Sequence, residues 1–188
     1  MTATASRPTT SEDRLFPPPP RLSLAPAGSA PALLDGAWWP RSLDLAAELP
    51  ALVAVLDPLW GRITRVTVHP AQWPVVPRKV PVAGHVVNVG WFRAEQDPHE
   101  VMLLSYDVGR WNLLVVPSRT SPASAAWLMA AASDPQRAAT GSELTREAAR
   151  SRTVAETDLG VEAVRDSEGG RVPRGPAAPS RSRVVTAG

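Results

Sequence analysis

Apolar and polar positions along the chain change period several times, and each change marks an element. Arg21-Leu22-Ser23-Leu24-Ala25 alternates with period two and predicts a short edge strand ended by Pro26. Leu45, Leu49, Leu52, Val53 and Leu56 recur at helical spacing, so the stretch from Ser42 to Asp57 predicts a helix. Ser42 is the expected N-cap, and Pro50 predicts a kink or a restart, because it lacks a donor and crowds the preceding turn. Alternation returns from Arg62 to His69 and from His85 to Phe92, the latter placing His85, Val87, Val89 and Trp91 on one face. Val101 to Tyr106 and Arg110 to Val116 are apolar on both faces, which predicts central strands covered on each side, by a C-terminal helix or by another subunit of an oligomer.

Two segments resist either period. Asp35-Gly36 is a turn signal, and Trp38-Trp39 after it predict a loop or a short extended piece. Pro70, Pro74, Pro77 and Pro81 exclude a central strand or a helix between residues 70 and 81, so a long stiff loop is expected. Ser121-Pro122 reads as an N-cap and N1 pair opening a helix to about Ser133. Thr140 with Glu143 reads as a capping box for a last helix to about Arg152, loosely docked because Leu144 is its one large apolar anchor.

The resulting expectation is a single α+β domain at residues 21–135. It has a mostly antiparallel five-stranded sheet, one helix after the first strand and one or two C-terminal helices, the last over residues 136–152. Residues 1–20, with their run Pro17 to Pro20, and residues 153–188, rich in Gly, Pro, Ser and Arg, carry too little apolar surface to offset the entropy of ordering. Both ends are expected to be disordered, the proline run serving as a stiff spacer rather than a ligand for proline-binding modules.

Composition changes this picture in three ways. Lys79 is the one lysine among 20 basic residues, and Ile63 the one isoleucine, a bias that points to a GC-rich genome and weakens any reading of the seven tryptophans as functional. Residues 21–135 hold nine basic and nine acidic side chains, which disfavours nucleic acid as a partner of the domain. The absence of cysteine excludes disulfides and thiolate chemistry, and with no apolar run long enough for a membrane span a cytoplasmic protein is expected.

Candidate chemistry is sparse. Phosphate-binding glycine loops and the Gly-x-Ser-x-Gly elbow are missing, and His69, His85 and His99 lack metal-ligand spacing, so neither a cofactor nor a metal is expected. Asp97, His99 and Glu100 could do acid–base work but lie on a loop that reads as solvated. The best candidate is aromatic and basic: Trp38, Trp39 and Arg41 on one loop, His69, Trp73 and Arg78 on or beside the proline-rich one. If the two loops meet, they form a π-faced surface with an anion-binding rim for a protein or small-molecule partner. Trp91, Trp111 and Trp127 read as core. The leading function is therefore a non-catalytic binding or protein-interaction module, a regulatory one included. One alternative is a small hydrolase or isomerase with His69 or His85 as base. The other is nucleic-acid contact through Arg171, Arg174, Arg181 and Arg183 of the tail.

Four blocks carry a resemblance: Leu34-Asp35-Gly36-Ala37-Trp38-Trp39-Pro40-Arg41-Ser42, Trp60-Gly61-Arg62-Ile63, Gly84-His85-Val86-Val87 with Gly90-Trp91-Phe92, and Trp111-Asn112-Leu113-Leu114-Val115-Val116-Pro117. Over roughly residues 20–135 the chain resembles an uncharacterised family of small actinobacterial proteins, a domain of unknown function. The resemblance implies an actinobacterial source and brings no activity, cofactor or site residue.

Overall fold

A computed structural model describes residues 18–94, 96–106 and 109–153. The expectations for residues 1–17 and 154–188, the arginine tail among them, lie outside the described residues. The elements are β1 (Arg21–Leu24), β2 (Gly36–Trp39), α1 (Leu45–Trp60), β3 (Ile63–Val68), β4 (Lys79–Val82), β5 (His85–Trp91), β6 (Glu100–Ser105), β7 (Arg110–Val115) and α2 (Pro122–Ala132). A third helix, α3, runs over 141–153.

The α+β class holds, but the sheet is seven-stranded and mixed, in the order β1-β2-β7-β6-β3-β5-β4, not five-stranded and mostly antiparallel. Both additional strands come from segments read as loops. β2 pairs antiparallel with β1 and parallel with β7, so a four-residue stretch is held from both sides. Gly36 does not make a turn. It has φ 148°, and a Cβ built there would stand 2.2 Å from the Ser23 carbonyl oxygen, so glycine lets β1 approach. β4 is an edge strand. The Val89 amide donates to the Arg78 carbonyl, which makes positions 78, 80 and 82 the bonded ones and turns position 81 outward. The amide that Pro81 lacks would have pointed away from the sheet, so proline at the edge sacrifices no ladder bond.

α1 begins two residues later than expected. Asp44, not Ser42, is the N-cap, its carboxylate accepting from the Ala46 and Ala47 amides, and the helix runs unbroken through Pro50. The residues of the predicted apolar face, Leu45, Leu49, Leu52, Val53 and Leu56, are all buried. They pack on one face of the sheet against Trp38, Val66, Val87, Val89, Leu103 and Leu113. Burying each such side chain contributes about 1.5–3 kcal/mol, enough to hold a helix with two interior prolines, Pro50 and Pro58. β6 lies at the centre of the sheet, as its apolar faces require.

The opposite face is covered over only half its width. Ala37 and Leu114 sit under α2, whose cap is Ser121, and Leu144 of α3 is buried in the same cluster. The other half, over β3, β5 and β4, carries no helix among the described residues.

Candidate functional site

The structure scatters the six predicted site residues and keeps only Trp38 and Trp73 in direct contact. The two loops do meet: Asp44 and Val75 form an isolated β-bridge, and the indoles of Trp38 and Trp73 stack with centroids 5.5 Å apart. That stack is core, however, since both indoles are buried. Trp38 occupies the inward-facing position of β2, so neither can line an open surface. Trp39, one residue on, faces the opposite side, where the Arg21 guanidinium lies 3.5 Å from its ring centroid while donating to the carbonyls of Trp39 and Pro40. Arg41 is exposed, and its amide donates to Glu48.

The histidines are each engaged in hydrogen bonds of the fold. His69 Nδ1 accepts from the Ala71 amide and its Nε2 lies 3.3 Å from the Arg93 carbonyl. His85 Nε2 lies 2.8 Å from the Ile63 carbonyl, and its Nδ1 is 3.8 Å from Asp57. His99 Nδ1 meets the Gln72 amide at 3.1 Å, and burial lowers its pKa against the opposing pull of Asp97. Asp97 and Glu100 do not face an open cleft either. Asp97 accepts from the His99 amide, the Ser142 amide and the Ser142 hydroxyl, and Glu100 accepts from the Gly141 amide. These carboxylates hold the first turn of α3, whose free amides and dipole favour negative charge. Thr140 and Glu143 complete the predicted capping box, each accepting from the other's amide.

Arg78 leads to a site that the sequence did not reveal. On the uncovered half of the sheet, register aligns Leu104 of β6, Arg65 of β3, Asn88 of β5 and Lys79 of β4 in one row. Arg65, Lys79 and Arg78 surround an open depression of about 400 Å³ together with Asn88, Gly90 and Trp91. Trp91, expected in the core and on the Val87 and Val89 side of β5 by alternation, is 42% exposed where β5 runs past the start of β4, with the Arg78 guanidinium 5.9 Å from its ring centroid. Val86 and Phe92 add exposed apolar surface. Among the described residues no carboxylate lines the depression, and its three cations form no ion pair. Alternation already separated Val86, Asn88 and Gly90 from the buried Val87 and Val89. Only pairing could bring Arg65 and Lys79 alongside them.

Among the described residues no group of three His, Asp or Glu side chains could hold a metal ion, and no helix is long and apolar enough to cross a membrane. No curated protein and no solved structure matches the chain. Residues 21–132, from the first residue of β1 to the last of α2, match a family of unknown function (DUF5994), and the chain belongs to that family.

Proposed function

We propose that the domain is a non-catalytic binding module that takes an acidic protein segment at the edge of the open half of its sheet, where β5 runs past the start of β4. The observation that carries this reading is the convergence of Arg65, Arg78 and Lys79 around an exposed tryptophan with no carboxylate among them. Like charges held together raise the local potential, and an anionic partner relieves it. Arginine beside an exposed indole is also the composition of interface hot spots, where aromatic contact and charge-assisted hydrogen bonds combine. Asn88 supplies a neutral donor and acceptor in the same row, and Gly90 leaves room for a backbone to approach. The balanced charge of residues 21–135 favours a local acidic segment over a nucleic acid, which would demand a wider basic footprint. The cysteine-free sequence supports a cytoplasmic setting for this role.

Titration of the ¹⁵N-labelled full chain with oligoglutamate tests the reading. Amide shifts should gather at Asn88, Gly90 and the Trp91 indole, and should weaken at least about tenfold in Arg65→Glu and Lys79→Glu with folding intact. Shifts spread over the helical faces, or binding indifferent to both reversals, would refute it. A stronger response to a single-stranded oligonucleotide than to oligoglutamate would make the partner a nucleic acid instead.

A further inference from the structure

A second concavity has the opposite chemistry. The connection from Ala25 to Asp35 closes over the last residue of α1, Trp60, and over Trp111 of β7, enclosing about 210 Å³. The two indoles stack with centroids 4.7 Å apart and planes 2° from parallel. The connection contributes Ala, Pro, Gly, Ser and Leu residues, with Asp35 as the one charged group of the lining among the described residues. The pocket therefore combines aromatic walls with one carboxylate and no basic residue.

Asp35 is held in place by the backbone. Its amide donates to the Asn112 carbonyl at 2.8 Å, its carbonyl accepts from the Ala25 amide at 2.9 Å, and its Oδ2 accepts from the Asn112 amide at 2.8 Å. Tying the start of β2 to β7 in this way needs only one carboxylate oxygen. Oδ1 takes no hydrogen bond among the described residues. Burial raises the Asp35 pKa, while the Asn112 amide and the charge of Arg110 oppose that rise. The carboxylate is thus partly desolvated and anchored, with one oxygen available, and Arg110 makes no ion pair with it among the described residues.

We propose that this pocket binds a small alkylammonium ion. The positive head lies beside the indole π-surface, as cations do over tryptophan, and donates to Oδ1 of Asp35. The alkyl part lies against the alanines and prolines of the connection. The enclosed volume is below that of pockets for drug-sized ligands, which limits the ligand to a few non-hydrogen atoms. This site is independent of the open sheet face and takes the opposite charge.

The test is a titration of the ¹⁵N-labelled full chain with n-butylammonium chloride at constant ionic strength, following the indole N–H resonances. Trp60 and Trp111, assigned through Trp60→Phe and Trp111→Phe, should shift and saturate while the buried Trp38 does not. Neutral n-butanol should act at least about tenfold more weakly. Asp35→Asn, whose side-chain oxygen can still accept from the Asn112 amide, should weaken the ammonium response by a similar factor. Absence of a saturating shift in the unsubstituted protein, an equal response to n-butanol, or undiminished binding by a folded Asp35→Asn would overturn the proposal. If Asp35→Asn does not fold, the comparison of n-butylammonium with n-butanol still decides it.

Discussion

Replacing Asp97 by alanine removes the side chain that joins the β5–β6 connection to α3. Three donors lose their acceptor: the His99 amide at 2.8 Å, the Ser142 amide at 2.9 Å and the Ser142 hydroxyl at 2.7 Å. A hydrogen bond to a charged group contributes about 1.5–3 kcal/mol when buried, but Asp97 is only part-buried, so water replaces much of each bond. Loss of a favourable charge at the helix N-terminus adds about 0.3–1 kcal/mol. One term has the opposite sign, because removing Asp97 relieves its repulsion of Glu100. The balance is a loss of about 2 kcal/mol, to be read from urea unfolding of the full chain by tryptophan fluorescence. Amide exchange in the first turn of α3 should accelerate in parallel. A loss under about 0.5 kcal/mol with exchange at Ser142 unchanged would refute the anchoring role. Acid should act in the same direction. Burial raises the Asp97 pKa, but its hydrogen bonds outweigh burial and hold it below the ordinary carboxylate value. Its stabilisation is present above the unfolded pKa and is lost as pH falls through the lower folded one. His99, whose pKa burial lowers, adds a loss as pH falls below the ordinary histidine range. Glu100, raised chiefly by burial, opposes both, so Asp97→Ala should leave a shallower acid limb.

Three further substitutions test the fold. Gly36→Ala forces a Cβ against the Ser23 carbonyl oxygen and should cost at least about 2–3 kcal/mol in a thermal melt, whereas a neutral result would show that β1 can move away freely. Leu144→Ala empties the buried anchor of α3 and should cost about 2–4 kcal/mol, again by urea unfolding; a cost near zero would mean that this helix is held by its caps alone. Pro50→Ala restores the amide that an unbroken α1 lacks and should stabilise by about 1–2 kcal/mol despite the freer unfolded chain. Destabilisation there would show that the pyrrolidine ring contributes packing that alanine cannot replace.

Local signals in the sequence were enough wherever one element's own pattern decides its state. The face of α1, the caps at Ser121 and Thr140, and the central place of the two strands apolar on both sides all depend on neighbours within a few residues. The start of α1 moved because Ser42 and Asp44 are both good caps: Asp44 accepts from the Ala46 and Ala47 amides, while Ser42 accepts only from the Asp44 amide. What pattern could not decide was pairing. Gly36 to Trp39 is strand only because β1 and β7 flank it, and Lys79 to Val82 is strand only because Pro81 falls at an outward edge position. The tryptophans show the same division. Composition could count them, but burial of Trp38 and Trp73, exposure of Trp91 and stacking of Trp60 on Trp111 depend on which faces the helices cover. Both candidate sites lie in that second category. The row Arg65, Asn88 and Lys79 joins residues far apart along the chain, and Asp35 reaches Trp60 and Trp111 only after β2 has paired with β7. Side-chain alternation is a property of one strand, whereas a site assembled across strands is a property of register, which long-range hydrogen bonding and the burial of one sheet face set together.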